Sequence, residues 1–391
     1  MKTNSRICFI LSIPLFPLAG SSFSCYRQAL HCQKNGFEVA IVCPQIKVAF
    51  EKVAGVTLLD VLPHRIGHGL LDHFFSLFVS GPALFRAIKK VKPDILHIHN
   101  PPDIIACVAA ILNYFLRLPY IWQINDPGPE SIESLVKIKP FKKKALVLLA
   151  KVMEYFILKQ VSGAITVNHV LREKMQQTRP VLGTKPFMVQ YHIPTLSYDY
   201  DKTAILEDNN FVLYVGSLGS EILGLEGLIS SFKPVWEKFG TKFLIIGDGL
   251  LKPALVALAN KLGASDYIVF KGYLNPQEVP LYLKSAKLCV IPYIDTILTR
   301  VATPTKLFEY LKMAKAVVLP VFPGFIEIVG SHNAGLFQAG EKNDMIEVMA
   351  RLLADDQARF DLERKNKLLA AQFSFEAEMH KIFGLYQAVL K

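Results

Sequence analysis

Residues 211–219 read FVLYVGSLG. Phe211 to Val215 form an unbroken apolar run of aromatic and β-branched types, stopped by Gly216. A short run without polar alternation fits a strand covered on both faces. The glycine lets the chain turn sharply and lets backbone approach a ligand. Residues 243–249, FLIIGDG, repeat the device. Further runs follow at Tyr267–Phe270, Leu288–Ile291 and Ala316–Leu319, with helical stretches at about 224–238, 250–262, 276–285, 305–313, 324–330 and 342–354. Strands alternating with helices predict a parallel sheet wrapped on both faces.

Before residue 211 the same grammar has already run once. Apolar strands are expected at Arg6–Ile13, Phe37–Cys43, Val56–Val61, Asp94–Ile98, Pro119–Ile124, Gly163–Val167 and Phe187–Tyr191. Helices are expected at about 23–35, 69–91, 102–117, 141–160 and 169–178. The polar stretch between the halves, with Pro194, reads as a linker. The expected architecture is therefore α/β: two tandem doubly wound, Rossmann-like domains facing a cleft. Their bounds are 1–192, a linker at 193–210, and 211–373. A C-terminal helix over 374–391 is expected to return to the first domain. Ligands of such sheets bind beyond the carboxyl ends of the strands, so the cleft is the expected site.

Composition agrees. The chain has 391 residues, 51% hydrophobic and 20% charged, which excludes a disordered chain. Its formal charge of +11 is uneven: residues 1–200 carry 23 Lys and Arg against 12 Asp and Glu, whereas residues 201–391 carry 21 of each. One domain is thus expected to meet something anionic. Six cysteines without a CxxC pair read as free thiols. The start, with Lys2 and Arg6 before an uncharged stretch, resembles a signal peptide superficially, but Pro14, Pro17 and Gly20 interrupt it, and a buried first strand is the preferred reading.

Several residues could carry chemistry. Gly216, Ser217 and Leu218 follow the first strand of the second half, and Gly247 and Asp248 follow its second. Residues 303–311, TPTKLFEYL, place Pro304 at a helix start with Thr303 as the expected cap. Lys306 and Glu309 lie three apart on one face. A helix start with a lysine suits a diphosphate, and a carboxylate one turn on suits the vicinal hydroxyls of a ribose. In the first half, Asp126 precedes Pro127-Gly128, and His97 and His99 share a face of one strand.

Taken in order, Tyr214-Val215-Gly216-x-Leu218, Phe243-Leu244-Ile245-Ile246-Gly247-Asp248-Gly249, Val269-Phe270-x-Gly272-Tyr273, Pro304-x-Lys306-Leu307-Phe308-Glu309-Tyr310-Leu311 and Asn333-Ala334-Gly335-Leu336 resemble the nucleotide-sugar half of the GT-B, family 4 (group 1) glycosyltransferases, in a subgroup carrying PxKLFEY. In the first half, Pro93 to Asn100, Ile124-Asn125-Asp126 and Ala164 to Asn168 agree. The resemblance implies retaining transfer of a sugar from a nucleotide diphosphate sugar to an acceptor held by the first domain, without a metal and with no cofactor beyond the donor. It implies donor contacts at Gly216, Ser217, Leu218, Gly247, Asp248, Gly272, Tyr273, Thr303, Thr305, Lys306 and Glu309, with Glu309 on the ribose. Acceptor-side candidates are Gly20, Ser21 and His99. Catalytic candidates are Asp126, Asn125, Lys306 and Arg300.

The chain departs from the family pattern in four places. The first glutamate of E-x7-E falls on Val301. The usual arginine after the first glycine is Ser217. The usual Lys-Gly is Leu223-Gly224. The first-domain histidine near the sugar is Asn125. Arg300 and Lys306 are expected to supply the missing positive charge. The alternative is a non-catalytic nucleotide-sugar-binding subunit of a glycan assembly complex. The basic, aromatic stretches 141–160 and 70–92 point to an anionic membrane surface, hence a cytoplasmic protein peripheral to the membrane with a lipid-linked or surface-glycan acceptor. Dispersed basic residues without a recognition motif argue against nucleic acid.

Overall fold

The computed structural model describes residues 5–13, 20–44, 55–62, 70–99, 103–133, 139–194 and 200–391, with backbone only at 20–21, 60–62, 70–79, 133 and 342. The chain divides into two compact units, Met1–His192 with Glu376–Lys391, and Ile193–Phe375.

The first unit is built on strands β1 (Arg6–Leu11), β2 (Glu38–Pro44), β3 (Val56–Leu62), β4 (Ile95–His99), β5 (Tyr120–Ile124), β6 (Val161–Thr166) and β7 (Phe187–Val189). They pair in parallel in the order β3-β2-β1-β4-β5-β6-β7. The order reverses between β1 and β4, which makes the carboxyl ends of those strands the place where loops splay apart. Strands β4 and β5 are buried at every position. That is why they read as continuous apolar runs, and why the polar residues within them stand out. The helix Phe375–Val389 belongs to this unit, where Tyr386 and Met379 are buried.

The second unit repeats the plan with β8 (Phe211–Val215), β9 (Lys242–Ile246), β10 (Ile268–Gly272), β11 (Leu288–Val290), β12 (Val317–Pro320) and β13 (Gly335–Phe337), all parallel, in the order β10-β9-β8-β11-β12-β13. Its core places Tyr214, Phe243, Val290 and Val318 from the strands against Leu228 and Met349 from the helices and Phe232 from the junction between two of them. Each such side chain contributes about 1.5–3 kcal/mol on burial.

The structure corrects the sequence reading at four points. Strand β13 is too short to show as an apolar run: Gly335 and only two further residues make it. The helix expected at 224–238 is two, Leu225–Ser231 and Lys233–Phe239; Pro234, which has no N–H to give, sits at the start of the second. Thr303 does not cap the helix Thr305–Lys312. Pro304, with φ −71° and ψ 141°, takes that position, and the Thr303 hydroxyl reaches the Gly324 carbonyl instead. Finally, the segment read as a linker is fastened to the second unit: Lys284 Nζ donates to the carbonyls of Tyr200 and Thr203 at 2.7 and 2.6 Å, and Leu206 N donates to Ser285 Oγ at 2.8 Å. Residues 195–199 of it lie outside the described residues. Among the described residues no helix is long and apolar enough to cross a membrane.

Candidate functional site

In the second unit the carboxyl ends of β8, β9 and β10 are laced together by backbone. Gly216 N donates to Ile246 O at 2.9 Å, Leu218 N to Asp248 O at 2.9 Å, and Gly247 N to Gly272 O at 2.8 Å. This brings Gly216, Leu218, Gly247, Asp248 and Gly272 into one turn cluster. Gly247, at φ +143°, can only be glycine: a Cβ there would lie 1.8 Å from the Gly216 carbonyl oxygen. Leu218 is buried and anchors the turn, while Ser217 and Tyr273 are exposed. Ser217 Oγ accepts from Gly219 N at 3.1 Å. The Asp248 carboxylate is exposed and takes Lys252 Nζ at 2.7 Å, which holds it below the usual carboxylate range.

Lys306 lies directly beneath this turn. Its Nζ donates to Tyr214 Oη at 2.6 Å, and that hydroxyl donates to the Ser217 carbonyl at 2.9 Å. The ammonium sits 3.8 Å from the Tyr214 ring centre and 5.5 Å from that of Tyr293, a cation–π arrangement. A Cβ at Gly216 would come within 2.5 Å of this Nζ, so the glycine makes room for the lysine. Burial pulls the Lys306 ammonium down to about 7, against the opposing pull of Glu309. Glu309 is one turn along the same helix, whose inner face buries Leu307, Phe308, Tyr310 and Leu311. Tyr310 Oη accepts from Val215 N at 2.9 Å and so ties helix to strand at the residue before Gly216. The sequence reading found the lysine, the carboxylate and the glycines. It carried Tyr214 and Tyr310 inside the motifs without giving either a role, and it missed Tyr293, which belongs to no motif.

Arg300 is elsewhere engaged. Its guanidinium is 60% exposed and pairs with Asp295 through Nε and Nη2 at 2.6 and 2.7 Å. Val301, where the family has a glutamate, is buried. Thr305 opens the helix and is partly buried.

In the first unit, β4 and β5 place His97, His99 and Gln123 on one face through the register His99 to Gln123, and Asn125 follows the end of β5. His97 sits between Tyr386 Oη, 2.7 Å from Nδ1, and Gln123 Oε1, 3.1 Å from Nε2. The carbonyl can only accept, so Nε2 carries the proton and Nδ1 accepts from the phenol. Gln123 Nε2 lies 3.2 Å from His192 Nε2 and 3.3 Å from Gln190 Oε1, which also accepts from Gln28. Burial lowers the three imidazoles: His97 to about 3, His192 to about 4, and His99 well below its usual value. All three are therefore neutral at pH 7. His99 is fully buried between Phe9 and His97, and neither of its ring nitrogens has a partner among the described residues. Both side-chain atoms of Asn125 are likewise buried without a partner among the described residues. Asp126 follows, its carboxyl raised by burial to about 6. Gly20 and Ser21 begin the helix Gly20–Lys34; their side chains lie outside the described residues. No group of three or more His, Cys, Asp or Glu able to hold a metal occurs among the described residues.

Residues 19–189 match the family model described as Glycosyltransferase Family 4, and residues 209–355 match Glycosyl transferases group 1. The chain belongs to the GT-B glycosyltransferases of the group 1, family 4 type. It is 24% identical over 346 residues to an uncharacterised glycosyltransferase of Methanocaldococcus jannaschii, covering 81% of this chain and 82% of that one. It is 24% identical over 314 residues to the alpha-monoglucosyldiacylglycerol synthase of Acholeplasma laidlawii, covering 75% of each. Its fold matches the solved sucrose-phosphate synthase from Thermosynechococcus elongatus with a TM-score of 0.78, at 16% identity over 98% of both chains. The glycosyltransferase turn cluster and its lysine thus sit in the part of the chain that carries the group 1 match.

Proposed function

We propose that this glycosyltransferase moves a sugar from a nucleotide diphosphate sugar to a lipid-linked or surface-glycan acceptor, with retention, in glycan biosynthesis at the cytoplasmic face of a membrane. The observation that carries the donor half is the Lys306 ammonium enclosed by Tyr214 and Tyr293 beneath Gly216. The anomeric C–O bond to the diphosphate breaks, the acceptor oxygen bonds to the same carbon, and the acceptor proton leaves. Negative charge grows on the departing diphosphate. A preorganised cation in a water-poor setting is worth several kcal/mol there. Lys306 and the backbone of the Gly216 and Gly247 turns supply it without a metal, Glu309 takes the ribose hydroxyls, and Gly272, Tyr273, Thr303 and Thr305 border the donor. Arg300 contributes only by leaving Asp295. Asp126 and Asn125 meet the reacting sugar or acceptor, and a carboxyl near 6 suits a group that takes the acceptor proton. The Acholeplasma relative is named for making a glucosylated diacylglycerol, which supports a membrane-held acceptor.

The test is nucleotide release from UDP- and GDP-sugars by the purified chain. Glu309→Ala and Lys306→Ala should each slow it by about 10²-fold or more; unchanged rates overturn the site. The second reading, a binding subunit without turnover, is favoured by buried Val301 in place of a carboxylate. Saturable donor binding with no release across the panel would decide for it.

A further inference from the structure

The helix Pro140–Gln160 has 21 residues and a single acidic side chain. That one, Glu154, points inward and is held with Glu130 by buried Arg179. The outward face therefore carries no negative charge. What it carries is apolar: Phe141 is 84% exposed, Leu148 65% and Tyr155 54%, with Val152 and Phe156 beside them. Positions 141, 148, 152 and 155 fall on one stripe of a helix about 30 Å long. Between them Lys142, Lys144, Lys151 and Lys159 reach solvent.

The neighbouring helix Ile104–Leu116 packs against this one. Asn113 Nδ2 donates to the Leu118 carbonyl at 2.9 Å and to Gln160 Oε1 at 3.4 Å, which joins the two helix ends. It has no charged residue, and it presents Tyr114 and Phe115, 68% and 76% exposed. Five of the seven large exposed aromatic side chains among the described residues thus lie on these two helices. Folding does not require this, since the inner faces already bury Ala150, Ile157 and most of Ile104–Ala110. A contiguous apolar patch of this kind marks a contact surface.

Charge selects the occupant. A second copy docking the same face on itself would set these lysines against their own counterparts. Aromatic and aliphatic tips ringed by lysines, with acid excluded, match the boundary of an anionic bilayer: the rings enter the headgroup zone and the lysines extend to the lipid phosphates. We propose that the face made by the helices Pro140–Gln160 and Ile104–Leu116 docks the first unit on an anionic membrane. This names the surface for the membrane-held acceptor and rests on that reading for its purpose.

The experiment is flotation of the full chain with phosphatidylglycerol–phosphatidylcholine vesicles and with pure phosphatidylcholine vesicles, at low and high salt. The unaltered protein should float with the anionic vesicles only, less so at high salt. Lys142→Gln/Lys144→Gln/Lys151→Gln should weaken that binding about a hundredfold, and Phe141→Ser/Leu148→Ser/Tyr155→Ser about tenfold or more. Phe360→Ser/Leu368→Ser, which removes exposed apolar groups from the second unit, should leave it unchanged. All variants should keep the wild-type melting temperature and nucleotide release from soluble donor. If the protein floats but both face variants float equally, the face is wrong and the membrane-held acceptor stands. If the protein floats with neither vesicle, both fall. If the serine variant instead breaks a dimer seen by light scattering, the face is a self-interface and the proposal is overturned.

Discussion

The two units share a sheet plan yet treat polar groups at their strand ends in opposite ways. In the second unit, whose half of the chain is electrically neutral, a half-buried cation is collected under a glycine turn and bonded to Tyr214. In the first, whose half carries the whole +11, the strand ends hold neutral imidazoles and amides, and His99 and Asn125 have no partner among the described residues. Bulk charge and the proposed site charge therefore lie on different units. Part of the excess positive charge lies on the lysines of the helix Pro140–Gln160, whereas Lys306, the cation proposed to meet the diphosphate, lies in the half whose charges cancel.

The sharpest way to break this contrast is Lys306→Met. If that ammonium is the cation that counts, donor turnover should fall about 10²–10³-fold, or roughly 3–4 kcal/mol. The fold should become more stable. The group's pKa in the folded protein lies below its unfolded value of 10.5, so its burial opposes folding in full below about 7 and the cost fades only as pH rises toward 10.5. Removing the amine should lift that cost by a few kcal/mol at pH 6 and by about half as much at pH 9. Urea denaturation at the two values reads it. In the unaltered enzyme, KM for the donor should rise as pH goes from 6 to 9, because Lys306 is charged below about 7 and neutral above it. A flat profile would mean that the diphosphate does not use this amine.

Next in size is Gly247→Ala. The new methyl meets backbone, the Gly216 carbonyl, at 1.8 Å, and φ is positive, so the turn must rearrange. About 2–4 kcal/mol of stability should be lost, along with donor binding measured by calorimetry. A functional, stable alanine variant would show that the cluster is not held by close backbone packing.

The first unit answers with Asp126→Asn. Its carboxyl is raised to about 6 against an ordinary value near 3.8, so the charged form costs stability above the unfolded pKa. The amide should gain about 1–3 kcal/mol at pH 8 and almost nothing at pH 4, while turnover drops. A variant neither more stable nor less active would remove Asp126 from the site.

How much of this could be read from residues follows from the same physics. The strands, their parallel pairing and the glycine turns were legible because β-sheets buried on both faces demand continuous apolar runs. Strand β13 escaped because three residues are too few to make a pattern. Lys306 and Glu309 were legible through helical spacing. Tyr214 was not, because a tyrosine in an apolar strand looks like core until its hydroxyl is seen bonded to a lysine 92 residues away. Arg300 was read as a free cation, yet Asp295 holds it across a short helix, a pairing that spacing alone does not announce. The network of His97, Gln123, Gln190 and His192 spans three strand ends and a loop, so no local window contains it.

The smallest expected effect is also the fairest comparison, since each unit fastens a helix to a site strand with one buried tyrosine. Tyr386 donates to His97 on β4, and Tyr310 accepts from Val215 on β8. Replacing either by phenylalanine keeps the ring and leaves one buried polar group unpaired, at about 1–2 kcal/mol of stability in each case. Their effects on catalysis should differ. Val215 is the residue before Gly216, so Tyr310→Phe loosens the turn over Lys306 and should raise KM for the donor a few-fold. Tyr386→Phe leaves an imidazole nitrogen bare beneath the sheet of the other unit and should leave donor KM unchanged. Equal shifts in KM from the two variants would mean that the first unit's buried network helps to hold the donor, and the division of labour drawn from charge would have to be redrawn.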